Sequence, residues 1–244
     1  MRLAVCMATF NGQRFLIEQV RSIIDQLEDE DRLIVSDDGS SDRTVEILSE
    51  FGPKIQVIGT TKTDGIVSNF ERALSAAFKM DFDVYTLADQ DDVWLDGRVA
   101  EIKHRLSECS AIMMNGIVVD SSAEPTGESI FDFVGRRKGF FSNFLKNSYV
   151  GCCLAFRREV IALALPFPKN LPWHDWFLAL ICESHFDIVR VEQKLMLYRR
   201  HSSNASATGL RSKSSTFSKL RSRASIVKAL ALVAKRRFLG RPGN

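Results

Sequence analysis

Three carboxylates, Asp89, Asp91 and Asp92, fall within four residues at the end of the apolar, β-prone run Tyr85-Thr-Leu-Ala88. Carboxylates this close repel one another unless they are solvated, protonated or bound to a cation. Hard oxygen donors suit Mg²⁺ or Mn²⁺, and Mg²⁺ is commonly held by one or two carboxylates plus substrate phosphates. The plain alternative for an isolated Asp-x-Asp-Asp is a solvated turn. A second pair, Asp37-Asp38, follows the apolar run Arg32–Ser36. Asp38 could accept from the N–H of a pyrimidine base and Asp89 could hold a ribose hydroxyl, while helix capping with a favourable dipole interaction is the plain alternative for the Asp37-Asp38 pair. His174-Asp175 sits between Trp173 and Trp176. The two rings could wall an acceptor and lift the Asp175 pKa toward the range of a general base, or Asp175 could simply cap the helix it precedes. In Tyr198-Arg-Arg-His201, His201 could give a neutral nitrogen to a metal or contact a diphosphate as a cation, with Arg199 or Arg200 beside it. A lone histidine in a basic loop is otherwise an exposed side chain.

The elements that must position these groups alternate. Leu3–Ala8 reads as a buried strand, and Phe15, Leu16, Val20, Ile23 and Ile24 then recur at helical spacing through Leu27. Arg32–Ser36 is a second strand, followed by a helix that Ser41 can cap and Gly52-Pro53 stops. Ile55–Gly59, a helix over Ile66–Met80 and a strand over Asp83–Ala88 complete a β-α-β-α-β-α-β progression. That order predicts a parallel sheet with right-handed crossovers, in which ligands sit past the carboxyl ends of the strands. A helix near Arg98–Leu106 and strands at Ala111–Asp120 and Val150–Phe156 come next, then a stiff Pro166–Pro172 loop and a helix opening at Trp173-His-Asp-Trp. Asp187–Gln193 and Leu195–Tyr198 read as two closing strands, and a Ser-rich linker from Ser202 leads to an apolar-faced basic helix, Ile226–Leu239.

A chain of 244 residues is long enough for one sizeable core, and its 45% apolar and 26% charged content is ordinary for a globular protein. No apolar run reaches the roughly 18–20 residues needed to span a bilayer, and the start of the chain lacks a signal-peptide pattern. Five cysteines without CxxC spacing read as buried thiols of a reducing cytosol. The net charge of +3 hides an asymmetry: residues 193–244 carry 13 Lys and Arg and no acid, leaving 20 bases against 30 acids in the remainder. A basic amphipathic helix of this kind reads as a binder of anionic lipid, with a solvated or domain-docked tail as the alternative. Nucleic acid is not expected, since no nucleic-acid-binding fold accompanies the basic stretch. Dinucleotide, P-loop, GxSxG, HExxH and zinc signatures are all absent.

Taken in order, Ala8-Thr-Phe-Asn-Gly12, Asp37-Asp-Gly-Ser-Ser-Asp-Arg-Thr44, Asp89-Gln-Asp-Asp-Val-Trp94, Gly151-Cys152, His174-Asp-Trp176 and Tyr198-Arg-Arg-His201 resemble glycosyltransferase family 2. The resemblance implies an α/β GT-A fold, a Rossmann-like mostly parallel sheet with flanking helices, over residues 1–205. Residues 1–95 would form the nucleotide-binding half, 96–205 the acceptor-side half, and 206–244 a basic tail. It also implies inverting transfer of one sugar from a UDP- or dTDP-linked donor, with Mn²⁺ or Mg²⁺ on the Asp-x-Asp. By resemblance Ala8, Thr9, Asn11, Asp38, Asn69, Asp89, Trp94 and Arg199 line the donor. Asp91, Asp89 and His201 hold the metal, Asp92 supports them, and Asp175 is the base. His174 would share or tune that last role, because many members carry Glu-Asp where this chain has His-Asp. The ending is similar to bacterial members, rhamnosyltransferases among them, that build surface polysaccharide on saccharide or lipid-linked acceptors. The location implied is cytoplasmic, with a peripheral place on the inner membrane. The Gln-x-x-Arg-Trp motif of processive synthases is absent, which argues for single addition. The competing readings are a nucleotidyltransferase, for which Thr9-Phe-Asn-Gly-Gln-Arg is a poor triphosphate loop, and an inactive partner protein of a polysaccharide assembly complex.

Overall fold

The protein is described here by a computed structural model covering residues 1–201 and 215–238. The Ser-rich linker and Leu239 fall outside the described residues. The expected alternation is present as β1 (Leu3–Thr9), α1 (Leu16–Ile24), β2 (Arg32–Asp37), α2 (Thr44–Ser49), β3 (Ile55–Gly59), α3 (Ile66–Lys79) and β4 (Val84–Ala88). Every residue of β1 and β4 is buried, as continuous apolar strands must be when helices cover both faces of a parallel sheet. Helices α1 and α3 turn Leu16, Val20 and Ile23, and Phe70, Ala73, Leu74 and Ala77, into that core. A two-residue β5 (Val93–Trp94), α4 (Arg98–Glu108), β6 (Ala111–Val119) and β7 (Pro125–Ser129) follow. After them come α5 (Ile130–Val134), α6 (Phe140–Leu145), β8 (Leu154–Arg157), α7 (Arg158–Ala164), α8 (His174–His185), β9 (Ile188–Arg199) and α9 (Thr216–Phe238).

One sheet runs β3-β2-β1-β4-β8-β6-β9-β5, with β7 on β6. The β1, β2, β3 and β4 pairings are parallel, whereas β8 is antiparallel to both β4 and β6. Register aligns Thr9 with Asp37 and Met7 with Ala88. The ends of β1, β2 and β4 therefore release their loops into one crevice, where an open α/β sheet binds its ligands.

Several expectations need correction. The strand expected from Val150 begins only at Leu154; Gly151–Cys153 is a 3-10 turn closed by Cys153 N–H donating to the Val150 carbonyl at 3.1 Å. The two closing strands are one. Along β9, Val191 pairs with Met114 and Lys194 with Asn115, so Glu192 and Gln193 bulge out without ending the strand. Helix α2 starts at Thr44, and Asp42, not Ser41, takes its free amide, accepting from Thr44 N at 2.9 Å. Asp175 is no N-cap, since Trp173 holds that position and Asp175 lies in the first turn of α8. The basic helix is longer than expected and packs on α7 and α8, with Ile226, Ala229 and Val233 buried. Among the described residues no helix is long and apolar enough to cross a membrane.

Candidate active site

The floor of the crevice is a lattice of polar side chains from β1, β2 and α3. Asp37 is wholly buried; it accepts from Thr9 Oγ1 at 2.8 Å, Ser40 N at 2.8 Å and Ser40 Oγ at 2.6 Å. The Thr9 carbonyl accepts from Asp38 N at 2.9 Å and Asn69 Nδ2 at 3.1 Å. Asn69 Oδ1 accepts from Ser36 Oγ at 2.5 Å and from Arg72 at 3.2 Å. Thr9 and Asn69 thus hold the Asp37-Asp-Gly-Ser40 turn in place with side chains that are almost fully buried. Arg72, unremarked in the sequence, closes the lattice by donating to Ser36 Oγ and the Asp37 carbonyl. Asn11, at φ 49°, accepts from Ser41 N at 2.9 Å on its side chain and donates its own N–H to Ser40 Oγ at 2.8 Å. Ala8 contributes backbone at the end of β1. Asp38 is half-buried, and its carboxylate faces the Thr63 N–H and hydroxyl.

Beside this floor, β4 delivers the acidic loop. Asp91 Oδ2 lies 2.7 Å from His201 Nε2, bringing together two groups 110 positions apart. Phe15 stacks on the His201 ring at 4.9 Å. Arg199, 3% exposed, braces the loop: its N–H donates to Asp92 Oδ1 at 3.0 Å and its Nε to the Asp91 carbonyl at 2.8 Å. Its Nη2 pairs with Glu18 at 2.6 Å. Trp94 is turned inward, 3% exposed, with its ring facing the buried Arg98 guanidinium at 4.6 Å. Both side chains are buried, Arg199 within this set of partners and Trp94 with its Nε1 lacking a hydrogen-bond partner among the described residues.

Acid crowding has the expected electrostatic signature. Burial, then the charge of Asp91 and that of Asp175, raise Asp89 to about 7. Burial, then the charges of Asp91 and Asp89, push Asp92 well above the carboxylate range. Asp92 Oδ2 is buried with no hydrogen-bond partner among the described residues. Such a site is short of positive charge. Asp89, Asp92 and Cys152 bring ligand atoms within 4.8 Å of one another. The Cys152 thiol, however, is held protonated by its bond to Cys153 and by burial, so it is a poor partner for a hard cation. The carboxylate of Asp91 and the imidazole of His201 fit Mn²⁺ or Mg²⁺ better, with Asp89 adjacent.

Across the crevice, the first turn of α8 carries Asp175. Its Oδ1 accepts from Trp176 N at 2.6 Å. Burial raises its pKa to about 6 against the pull of the Trp176 and Gly151 amides. Gly151 gives this approach its room, since a Cβ there would lie 3.2 Å from His174 Nε2 and 3.4 Å from Asp175 Cβ. His174 stacks on Phe70 at 4.1 Å, and burial holds it neutral down to about 3. That leaves Asp175, not His174, as the group with proton affinity near neutrality. The two flanking tryptophans diverge: Trp176 is buried and donates to the Asn143 carbonyl at 3.0 Å, while Trp173 is 41% exposed.

A parallel half, β1 to β4, joined through antiparallel β8 to a mixed half, with acids at the strand ends and a carboxylate opposite, defines a GT-A glycosyltransferase fold. Solved structures agree: S. aureus TarS 1–349 with UDP-GlcNAc superimposes with TM-score 0.68 at 16% identity, over 93% of this chain and 66% of that one. The mannosyltransferase PcManGT from Pyrobaculum calidifontis, with GDP-Man and Mn²⁺, gives TM-score 0.60 at 14% identity, over 96% of this chain and 75% of that one. The profile of glycosyl transferase family 2 matches residues 4–163, and the chain belongs to that family. The dTDP-rhamnosyl transferase RfbG of Shigella flexneri is 27% identical over 211 residues, 81% of this chain and 72% of the relative. The chain spans between 60% and 66% of the TarS 1–349 chains it matches.

Proposed function

We propose that the protein is an inverting glycosyltransferase moving one sugar from a UDP- or dTDP-linked donor to a saccharide or lipid-linked acceptor in bacterial surface-polysaccharide synthesis. The observation that carries the reading is the arrangement of Asp91 and His201 beside Asp89, faced by Asp175 with a pKa near 6. Residues 1–95 receive the nucleotide, residues 96–205 the acceptor. Asp38 offers its carboxylate to the base, Asp89 to the ribose, and Asp91 with His201 hold Mn²⁺ or Mg²⁺. The cation, when bound, neutralises charge developing on the departing diphosphate. Asp175 takes the proton of the acceptor hydroxyl, and that oxygen attacks the anomeric carbon from the face opposite the diphosphate. The bond from that carbon to the diphosphate oxygen breaks, and the nucleoside diphosphate leaves with the electron pair. A group of pKa about 6 is mostly ionised at neutral pH yet basic enough to accept a proton. Exposed Trp173 offers an apolar face to the acceptor ring. The five free, buried thiols support a reducing cytoplasm as the place of work.

Slow donor hydrolysis, followed by nucleoside diphosphate release with and without Mn²⁺, tests the reading without an acceptor in hand. The wild type should hydrolyse one nucleotide sugar faster with Mn²⁺, Asp91→Asn should lose that stimulation, and Asp175→Asn should bind donor yet lose turnover. Absence of binding to UDP, dTDP and GDP in calorimetry with Mn²⁺ would sink the proposal.

A further inference from the structure

The apolar face expected to seek lipid, Ile226 to Val233, is buried against α7 and α8. Other apolar side chains are uncovered nearby. On α6, Phe141 is 80% and Leu145 63% exposed; on the first turns of α9, Phe217 is 77% and Leu220 59% exposed. Arg223 Nη2 donates to the Leu145 carbonyl at 2.6 Å, joining the end of α6 to α9. Leu220 is three residues and Phe217 six residues before Arg223, so at 1.5 Å per residue both lie within about 9 Å of that contact along the helix. Phe141 is one turn back from Leu145. Exposed aromatic and aliphatic groups gathered this way mark an interaction surface.

The charge around them is mostly basic, Glu183 of α8 being an acid that touches α6. Residues 133–158 carry Arg136, Arg137, Lys138, Lys146, Arg157 and Arg158 and no acid, and residues 193–244 carry no acid either. Folding brings the end of α6 against α9. Lys138, Lys146, Lys219 and Arg221 are all exposed. Long basic side chains beside phenylalanine and leucine complement a surface that is anionic outside and apolar within.

We propose that α6 and the first turns of α9 form a docking surface for an anionic phospholipid bilayer, with Phe141, Leu145, Phe217 and Leu220 entering the interface and the bases above them facing headgroups. The surface is coupled to the catalytic helix. The Asn143 carbonyl of α6 accepts from Trp176 Nε1, and Asn143 Nδ2 donates to Glu183 at 3.1 Å, both on α8. A docked molecule therefore presents the Asp175 end of α8 at a fixed height over the membrane, where a lipid-linked acceptor would lie. The surface stands on its own observations and does not depend on the transferase reading.

The test is sedimentation of the full chain with phosphatidylcholine vesicles, with and without about 30 mol% phosphatidylglycerol, at about 50 and 500 mM NaCl. Binding should be at least tenfold tighter to the anionic vesicles and weaken at high salt. Phe141→Ser with Phe217→Ser should lower the affinity about tenfold or more, because both rings lose their apolar burial. Lys146→Glu with Arg221→Glu should abolish the preference for anionic vesicles. Donor hydrolysis should be unchanged in both pairs, so loss of hydrolysis in the parent chain would count against the transferase reading alone. Equal binding to both vesicle types, or a phenylalanine pair that binds like the parent, overturns the docking surface. A concentration-dependent dimer that the same pair abolishes, with no vesicle binding, would assign the patch to a second copy of the chain.

Discussion

Asp175 offers the sharpest quantitative test of the chemistry. An ordinary aspartate, with a pKa of 3.8, would be almost wholly ionised at pH 5; burial in the first turn of α8 moves this one to about 6. The sign follows directly: the shift is upward, the working form is the carboxylate, and activity is lost as pH falls through the raised value. At pH 5 a group of pKa about 6 is about one-eleventh ionised, so kcat should fall to about a tenth of its plateau, and by about tenfold per pH unit below that. Asp89 also titrates high, near 7, but a bound cation and saturating donor hold it ionised, so kcat rather than kcat/KM isolates Asp175. The assay is initial-rate transfer, or donor hydrolysis, at saturating nucleotide sugar and Mn²⁺ between pH 5 and 8. The Asp175→Asn variant should show a low, flat residual rate. A wild-type kcat at pH 5 within twofold of that at pH 7.5 would refute the assignment of Asp175 as base.

Two further outcomes follow from the packing. In Gly151→Ala the new Cβ meets His174, which cannot retreat because Phe70 lies 4.1 Å behind it; stability should drop by about 1–3 kcal/mol and kcat by about tenfold or more through displacement of Asp175. A variant with parental kcat would show that the turn does not position the base. Thr9→Val removes a buried donor from Asp37. The expected cost is about 1–3 kcal/mol, a Tm lower by about 2–12 °C for a chain of this size, in a thermal melt without ligand.

The parallel half, β1 to β4, was legible in the sequence because its signals are local. Continuous apolar runs, helical spacing and acid-ended strands each occupy a few neighbouring residues, and right-handed crossovers leave little freedom in joining them. The half that follows was less so. A short apolar run such as Val150–Phe156 does not reveal that its first residues wind into a 3-10 turn, since the reason is contact with His174 and Asp175, more than 20 positions away. The bulge at Glu192-Gln193 mimicked a strand break because polar residues interrupt the alternation while pairing continues. Site residues divide the same way. Asp91 and His201 meet as the motif order suggested, whereas Asn69, Trp94, Arg199 and Trp176 have the right types but face inward, which depends on partners such as Arg72, Arg98 and Glu18 that carry no motif of their own.

The pairing of β5 with β9 has a consequence for how the molecule comes into being. Val93 and Trp94 have Leu197 and Met196 as their strand partners, and the strand that supplies them runs on to Arg199 and His201. During synthesis the acidic loop leaves the ribosome about a hundred residues before the strand and imidazole that complete it. The nascent parallel half, β1 to β4, can therefore fold while its acidic loop still lacks these partners. The contacts of Asp91 and Asp92 with His201 and Arg199 form only when that strand is laid in, so an interrupted chain would leave the acidic loop unbraced.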